Sequence, residues 1–295
     1  MNILVTGANG QLGNSIRDLA RSSGHRFIFT DVSSIPGVET VFLDITDKQT
    51  VSLVLDSEKV DLIVNCAAYT NVDKAEEDEQ TAYLLNCTAP KNLAEAAKEN
   101  GCALIHISTD YVFNGLGCTP IPADAKPDPR SAYGRTKLAG EKAVADSGCP
   151  YVIIRTAWLY SEYGRNFVKT MLHLTEINDT VKVVYDQVGS PTYAADLAAA
   201  VLKIADNWDR SGSCICHFTD EGAVSWYDFA SEINAAAGHK CAVAACLSSE
   251  FPSKVDRPHY SVLDKSLIRS KFGVDVPYWR TSLLKCLKNL ENVIQ

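Results

Sequence analysis

The chain has 295 residues, of which 46% are hydrophobic and 22% are charged, and its formal net charge is −8. This composition excludes disordered, fibrous and repeat proteins, and the length suffices for one sizeable core with a smaller companion domain. The acidic balance argues against nucleic acid and anionic membranes as partners. There is no apolar run of roughly 18 residues and no signal-peptide pattern, so we expect a cytoplasmic protein.

Ten cysteines lie mostly within apolar runs, which is typical of buried cysteines in a reducing compartment. Cys214, Cys216 and His217 could join Cys241 and Cys246 in a metal site. Neither cysteine pair has the two-residue spacing that is common among zinc ligands. We therefore predict structural cysteines and no metal.

Short β-branched runs alternate with longer helical patterns in the first half of the chain. Parallel strands are predicted at residues 3–6, 27–30, 41–43, 62–65, 103–107 and 151–154. Helices are predicted over residues 11–22, 82–100 and 132–146, with Pro90 bending the second helix or marking a first turn. This alternation predicts an α/β fold with a doubly wound parallel Rossmann sheet.

The second half of the chain is less regular. Helices are predicted near residues 166–174, 194–205 and 225–237, strands near 181–184 and 214–218, and a closing helix from Trp279. This mixture predicts a smaller, partly interleaved C-terminal substrate domain. We assign residues 1–157 and about 181–206 to the dinucleotide-binding domain, and residues 158–180 and about 207–295 to the substrate domain.

A glycine-rich loop follows the first predicted strand and leads into a helix. Glycines at such a turn let backbone N–H groups and the helix N-terminus approach a pyrophosphate closely, although an ordinary turn is the alternative. Because the loop opens a parallel α/β pattern, we predict that it binds a dinucleotide through Gly7, Asn9, Gly10, Gln11, Leu12 and Gly13.

Asp31 ends the second predicted strand, where a carboxylate can accept hydrogen bonds from the adenosine ribose. A carboxylate there favours NADH, whereas Ser33 and Ser34 offer donors to the 2′-phosphate of NADPH. Alternatively, Asp31 only opens a turn.

Tyr133 and Lys137 are four residues apart in a predicted helix, so they share one face. An ammonium stabilises a nearby phenolate, so Tyr133 can donate a proton to a developing alkoxide while Lys137 tunes it and holds the cofactor ribose. Thr109 follows the fifth strand, at the sheet edge where ligands of such folds bind. A solvated helix face and a local turn are the alternatives, but together with the glycine loop these residues predict a catalytic triad of Thr109, Tyr133 and Lys137 that reduces a carbonyl.

The GxxGxxG spacing of the loop resembles the extended short-chain dehydrogenase/reductase family. The resemblance becomes closer to one branch, the dTDP-4-dehydrorhamnose reductases. It is carried by six strings in the same order, spread over nearly the whole chain: TGANGQLG, STDYVFNG, YGRTKLAGE, RTAWLY, DQVGSPTYAADLA and RPHYSVLD.

The resemblance implies reduction of the 4-keto group of dTDP-4-dehydro-6-deoxy-L-mannose to dTDP-L-rhamnose with NADPH or NADH, the last step of dTDP-rhamnose synthesis. It implies further cofactor contacts from Asp44, Ile45, Ala67, Ala68 and Tyr69. It also implies a sugar-nucleotide pocket formed by Thr109, Asp110, Tyr111, Val112, Trp158, Arg257 and Ser261.

Related functions fit less well. Dehydratases of the extended family carry an acid where this chain has Tyr111, and epimerases lack the last two strings.

Some members of the reductase branch form dimers around magnesium held by glutamates, but Ser15 stands at one such position and Asp196 at another. We therefore predict a monomer or a metal-independent homodimer. A non-catalytic regulatory subunit, resembling the β subunit of methionine adenosyltransferase, is the remaining alternative.

Overall fold

A computed structural model describes residues 1–251 and 253–294 of the chain. The strands, in chain order, are β1 (Asn2–Thr6), β2 (Arg26–Asp31), β3 (Val41–Phe42), β4 (Leu62–Asn65), β5 (Ala103–Thr109), β6 (Tyr151–Thr156), β7 (Leu159–Tyr160), β8 (Thr180–Val184), β9 (Val188–Gly189), β10 (Thr192–Tyr193), β11 (Cys214–His217), β12 (Val224–Ser225) and β13 (Ala242–Cys246). The helices are α1 (Gln11–Ala20), α2 (Lys48–Ser57), α3 (Val72–Glu77), α4 (Glu79–Tyr83), α5 (Ala89–Asn100), α6 (Ala132–Asp146), α7 (Phe167–Ile177), α8 (Ala194–Asn207), α9 (Trp226–Ala236), α10 (Ser266–Phe272) and α11 (Trp279–Ile294).

Seven parallel strands form the central sheet, in the order β11-β6-β5-β4-β1-β2-β3. The chain winds outward from β1 in one direction and then in the other, which confirms the predicted doubly wound α/β fold. Apolar side chains cover both faces of the sheet: one core includes Ile16 and Val201, from α1 and α8, and the other includes Leu55 and Leu93, from α2 and α5. This double burial explains why the strands read as continuous apolar runs.

A smaller lobe is built from three two-stranded sheets, β7 with β10, β8 with β13, and β9 with β12. Its core is aromatic and includes Tyr160, Phe229 and Trp279, contributed by β7, α9 and α11. The lobe follows the carboxyl end of β6, which places it over the edge of the sheet that carries the predicted site.

The pairing of two strands differs from the predicted division of the chain. Strand β8, which we assigned to the dinucleotide-binding domain, pairs with β13 in the smaller lobe. Strand β11, which we assigned to the substrate domain, is the seventh strand of the central sheet beside β6. Helix α8 packs on α1, beside the central sheet. Short apolar runs such as Cys214–His217 do not reveal their partner, because pairing is decided by contacts far away in the sequence.

The helix predicted over residues 82–100 is interrupted. A π-helical turn over Leu84–Thr88 separates α4 from α5, and Pro90 lies in the first turn of α5, where its missing N–H costs no hydrogen bond. The insertion turns Asn86 inward, where it is fully buried.

Helix α6, which carries Tyr133 and Lys137, packs directly against backbone. A Cβ atom on Gly134 would lie 2.2 Å from the carbonyl oxygen of Tyr111, and one on Gly140 would lie 2.0 Å from that of Asn86. Glycine at both positions therefore lets the helix approach the end of β5 and the π-helical turn closely.

None of the helices that the structure describes combines the length and apolarity needed to cross a membrane. All ten cysteines are free thiols. Of the cysteines considered as metal ligands, Cys214 and Cys216 lie on β11 of the central sheet, Cys246 lies on β13 of the smaller lobe, and Cys241 directly precedes β13.

Candidate active site

The glycine loop between β1 and α1 leaves no room for side chains. Gly7 has a φ of +63°, and a Cβ atom on it would lie 2.7 Å from the amide nitrogen of Ala67. A Cβ atom on Gly13 would lie 2.5 Å from the Cα atom of Ala8. Gly10 precedes α1, whose first turn has no acidic residue and no side-chain cap from the described residues. This bare helix N-terminus beside a tight backbone turn fits a dinucleotide diphosphate.

Asp31 ends β2 beside this loop. One carboxylate oxygen accepts the backbone N–H of Asn9 at 3.1 Å, and the other accepts the backbone N–H and the hydroxyl of Ser33 at 2.9 and 2.8 Å. Asp31 therefore joins the glycine loop to the turn after β2, and its position at the strand end matches the expected ribose site.

Arg17, which sequence patterns did not single out, places a cation near this carboxylate. Its guanidinium lies 4.1 Å from the ring centre of Phe29 and donates to the carbonyl of Glu39 at 2.7 Å and the hydroxyl of Thr40 at 3.2 Å. Burial lowers the pKa of Arg17, and the charges of nearby carboxylates, Asp31 among them, oppose this shift. The sequence feature that could have identified Arg17 is its position one helical turn after Gly13.

Two predicted cofactor residues of the loop direct their side chains away from it. Leu12 is buried in the same core as Ile16 and Val201, on one face of the central sheet. The Gln11 side-chain oxygen accepts from the hydroxyl of Ser161 at 2.9 Å and from the amide of Asn166 at 3.0 Å. Gln11 thus ties the glycine loop to the smaller lobe.

The residues expected at the adenine are held by local bonds. Asp44 accepts the backbone N–H and the hydroxyl of Thr46 at 2.9 and 2.7 Å. Ile45 is buried, and its carbonyl accepts the side-chain amide of Asn92 at 3.2 Å. These bonds define the turn between β3 and α2.

The half-buried segment of Ala67, Ala68 and Tyr69, after β4, is held by two asparagines. Asn65 accepts the N–H of Ala67 at 3.1 Å. Asn86 accepts the N–H of Tyr69 at 2.9 Å and donates to the Tyr69 carbonyl at 3.1 Å. The same Asn86 amide reaches the hydroxyl of Thr136 on α6 at 3.2 Å. Asn86 therefore connects the predicted cofactor segment to the helix of Tyr133 and Lys137.

Tyr133 and Lys137 are both buried, with exposed fractions of 9% and 1%. The Lys137 ammonium donates to the carbonyl of Ile107 on β5 at 2.6 Å. Burial lowers the pKa of Lys137 to about 8, and the charge of Glu141 opposes this shift. Burial raises the pKa of Tyr133, and the nearby Thr109 hydroxyl opposes that shift. The dominant influence on the pKa of the phenol is thus burial.

Thr109 and Asp110 lie at the carboxyl end of β5, facing Tyr133. The Thr109 hydroxyl donates to an Asp110 carboxylate oxygen at 3.1 Å, and it also accepts the backbone N–H of Tyr111 at 3.2 Å. The Tyr111 ring packs edge-on against the Tyr133 ring, with 5.4 Å between their centres. The structure therefore brings Thr109, Tyr133 and Lys137 together at the edge of the sheet where they were expected.

Arg257 reaches this group from the smaller lobe. Its guanidinium donates to the hydroxyl of Tyr111 at 3.5 Å and pairs with Asp73 on α3 at 2.9 Å. Burial raises the pKa of Tyr111 to about 12, while the charge of Arg257 acts in the opposite direction. Arg257 is about one third exposed, so an anionic ligand can still approach it.

Three other predicted pocket residues are covered in this structure. Val112 is fully buried and packs with Phe113 and Leu263. Trp158 stacks on Trp226 with 3.5 Å between ring centres, so one of its faces is occupied. Ser261 is buried, and its backbone N–H donates to the carbonyl of Val188 at 2.8 Å.

A cavity of about 1460 Å³ opens between α3 and the smaller lobe, next to Arg257. Its wall combines aromatic rings with side chains of both charges, among them Phe167, Trp226, Lys74, Lys182, Asp73 and Asp186. Aromatic faces and cations in one cleft suit a base attached to a charged diphosphate.

The family model for the RmlD substrate binding domain matches residues 1–292 of this chain. The chain belongs to this family. It is 38% identical over 291 residues to a dTDP-4-dehydrorhamnose reductase of Aggregatibacter actinomycetemcomitans, covering 95% of this chain and 96% of that protein.

Solved structures of the family are similar throughout. A dTDP-4-dehydrorhamnose reductase from Clostridium acetobutylicum has a TM-score of 0.92 at 43% identity and covers 99% of this chain and 100% of that one. One from Bacillus anthracis, in complex with NADP, has a TM-score of 0.89 at 34% identity and covers 98% and 99%.

A buried ion pair underlies the site in this member of the family. Glu141, one turn after Lys137 on α6, receives two hydrogen bonds from the guanidinium of Arg155 on β6, at 2.9 and 2.7 Å. It also accepts the hydroxyl of Ser108 on β5 at 2.5 Å. This pair fixes the helix against both strands, and the sequence shows it only as an acid at helical spacing from Lys137.

Ser15, the residue from which we predicted no metal-dependent dimer, lies inside the protein. Ser15 is buried in α1, and its hydroxyl donates to the carbonyl of Gln11 at 3.1 Å. Within residues 1–251 and 253–294, no group of three or more histidine, cysteine, aspartate or glutamate side chains is arranged to hold a metal ion.

Proposed function

We propose that this chain is a dTDP-4-dehydrorhamnose reductase, which uses NADPH or NADH to reduce the 4-keto group of dTDP-4-dehydro-6-deoxy-L-mannose. The carrying observation is the convergence of Thr109, Tyr133 and Lys137 at the carboxyl edge of a sheet whose first turn fits a dinucleotide. Relatives bearing the reductase name cover nearly the whole chain, which favours catalysis over the non-catalytic alternative.

When bound, the nicotinamide cofactor supplies the hydride that reduces the carbonyl carbon. Tyr133 retains its proton at neutral pH because burial raises its pKa, so it is a proton donor to the developing alkoxide. The Thr109 hydroxyl lies beside the phenol and orients the carbonyl oxygen. Lys137 holds the nicotinamide ribose. To do so, its ammonium must either break its hydrogen bond to the Ile107 carbonyl or donate to both groups.

The remaining parts of the substrate can be assigned by their chemistry. Arg257 binds the diphosphate, because a guanidinium matches phosphate geometry, and its ion pair with Asp73 orients it. The cavity beside it takes the nucleotide, and the edge of the Trp158–Trp226 stack packs against the deoxysugar. Asp31 binds the adenosine ribose of the cofactor, and Arg17 allows the 2′-phosphate of NADPH.

The test is turnover of dTDP-4-dehydro-6-deoxy-L-mannose by purified protein with NADPH and with NADH, and identification of the product sugar by NMR. We expect Tyr133→Phe to lower kcat by about 10²- to 10⁴-fold, because a positioned acid is lost. Cofactor affinity should change little, since the ring remains. Tyr151→Phe, on the first residue of β6, is the matched control and should turn over normally.

Turnover that survives Tyr133→Phe would contradict the catalytic assignment. Cofactor binding without turnover of this sugar nucleotide would favour a regulatory subunit.

We further propose a cytoplasmic monomer or metal-independent homodimer. Ten free thiols suit a reducing compartment, and Ser15 presents no carboxylate to a metal. Light scattering with and without EDTA should give the same mass. A dimer that EDTA dissociates would contradict this prediction.

A further inference from the structure

Glu141 is a buried acid one helical turn after Lys137 on α6, and it is 2% exposed. Its carboxylate accepts the hydroxyl of Ser108 on β5 at 2.5 Å. It also accepts two bonds from the guanidinium of Arg155 on β6, at 2.9 and 2.7 Å. A two-bond pairing of this kind keeps a buried carboxylate charged and fixes its orientation.

The bond to Ser108 reaches β5 between two residues of the site. Ile107, before it, accepts the Lys137 ammonium at its carbonyl at 2.6 Å, and Thr109, after it, carries the hydroxyl expected at the substrate oxygen. Two side chains of α6, one turn apart, therefore hold two consecutive residues of the strand. These two bonds set the distance between Lys137 and Thr109.

Arg155 is the fixed end of this arrangement. It lies directly opposite Ser108 in the pairing of β5 with β6, so both side chains leave the same face of the sheet. It is buried, its guanidinium also donates to the carbonyl of Ala123 at 3.3 Å, and its guanidinium carbon lies 5.0 Å from the ring centre of Phe113. Contacts on several sides hold Arg155 in place, so the strand fixes Glu141 rather than following it.

We propose that Glu141 is a positioning residue of the reductase site, which sets Thr109 against Lys137 through Ser108 and stabilises the Lys137 ammonium with its negative charge. Glu141 itself contacts neither Tyr133 nor the expected place of the substrate, because its carboxylate is engaged by the two strands. This inference rests on the proposed reductase function and adds a residue to its support.

The charge of Glu141 matters because Lys137 is also withdrawn from water. Burial lowers the pKa of Lys137 to about 8, and the charge of Glu141 opposes this shift. Burial also keeps His106, on the neighbouring strand, neutral by lowering its pKa. The elements packed against α6 carry further ionisable groups: Glu76 on α3, Glu79 on α4, Cys87 in the π-helical turn, Lys98 on α5, Asp110 and Tyr111 after β5, and Arg155 on β6.

The test uses two readouts on Glu141→Gln. The first follows the carbon-13 NMR signal of the Lys137 Cε atom against pH in protein without cofactor, with the signal assigned by its absence in Lys137→Arg. The second is kcat against pH with the sugar nucleotide and NADPH. Glutamine removes the negative charge and leaves Arg155 unbalanced. The titration midpoint of Lys137 should therefore move below about 8, by about one pH unit. We expect kcat at its optimum to fall about 10- to 10²-fold, because the reacting groups are displaced.

Arg155→Met provides the opposite change. Removing the guanidinium leaves the charge of Glu141 uncompensated, so the midpoint of Lys137 should move above about 8, although kcat falls in this variant too. A merely structural role would lower activity in both variants without opposite shifts of the midpoint. An unchanged midpoint in either variant, or shifts of the same sign, would overturn the charge effect.

Ser108→Ala tests the positioning effect without changing any charge, and it keeps the proposal testable should a variant of the ion pair fail to fold. We expect kcat to fall about tenfold while the midpoint of Lys137 stays at its wild-type value. Normal kcat in Ser108→Ala would contradict the positioning effect.

Glu79→Gln is the matched control, because Glu79 also pairs with an arginine, Arg135 of α6, but at the surface. It should keep the wild-type midpoint and kcat. If wild type itself does not reduce the sugar nucleotide, the proposed function fails, and the NMR titration still measures the effect of Glu141 on Lys137. If wild type reduces the sugar nucleotide and the variants behave like Glu79→Gln, the role of Glu141 fails alone.

Discussion

Burial governs the acid–base behaviour of Lys137 and Tyr133. Both side chains leave water, and burial shifts their pKa values in opposite directions, because it disfavours the charged form of each group. At neutral pH the phenol is neutral and the ammonium is still charged, although with less margin than a lysine in water. The site therefore presents a proton donor and a cation side by side.

We expect kcat/KM to fall as the pH rises through about 8, because Lys137 is protonated below its pKa and loses the charge above it. Lys137→Arg should move this loss to much higher pH, since a guanidinium keeps its charge, whatever its effect on the maximal rate. A pH profile of reduction checks this. Lys142→Arg, an exposed lysine on the same helix, should keep the wild-type profile, and a loss near pH 8 that persists in Lys137→Arg would contradict the assignment.

At the scale of elements, Asn86 joins three parts of the fold. Its side chain holds both backbone groups of Tyr69 and the hydroxyl of Thr136, so one residue of the π-helical turn connects the segment after β4 to α6. The π-helical turn makes this possible because it inserts a residue into an otherwise α-helical run and rotates the side chain inward.

Asn86→Ala should leave the half-buried N–H and carbonyl of Tyr69 without their Asn86 partner, at a cost of about 1–3 kcal/mol in the free energy of unfolding. The cofactor segment should loosen as well, and we expect NADPH affinity to fall about tenfold, which corresponds to roughly 1.4 kcal/mol. Urea unfolding and fluorescence titration measure the two effects. Asn100→Ala, which removes side-chain bonds at the far end of α5, should leave cofactor affinity unchanged; equal losses in both variants would refute a specific role.

At the scale of the whole molecule, one histidine is fully buried at the end of a strand of the central sheet. His217 ends β11 with both ring nitrogens buried, and its ring packs edge-on against Phe113 with 5.8 Å between centres. Burial and the charge of Arg155 lower its pKa to about 3. The folded protein therefore holds this imidazole neutral over a pH range in which the unfolded chain binds a proton.

Stability should consequently fall as the pH decreases from about 6.5 to about 3, by up to about 1.4 kcal/mol per pH unit from this group, because the unfolded state takes up the proton. His217→Phe should show a shallower decline in the free energy of unfolding over that range. Urea titrations at several pH values measure it. His173→Gln, at an exposed position on α7, should reproduce the wild-type slope; an unchanged slope in His217→Phe would contradict the prediction.

Short sequence patterns predicted many of the strands, turns and helices of this protein. The apolar run of β1, the glycines after it and the four-residue spacing of Tyr133 and Lys137 depend on short-range sterics and helix geometry, and the structure places them in the expected strand, turn and helix. The order of strands and helices also indicated the doubly wound sheet. All seven of its strands lie where the sequence placed a strand, because strands buried in the sheet need unbroken apolar runs; only the domain to which β11 was assigned differed.

Other features were decided only by the tertiary structure. The partners of β8 and β11, the reach of Asn86 to Tyr69, the Trp158–Trp226 stack and the placement of Asp110 behind Thr109 all depend on which surfaces meet when the chain closes. The physical reason is one of range. Hydrophobic periodicity and the conformational effect of glycine depend on the few residues on either side. Strand pairing, burial and pKa values depend on neighbours that are distant in the sequence.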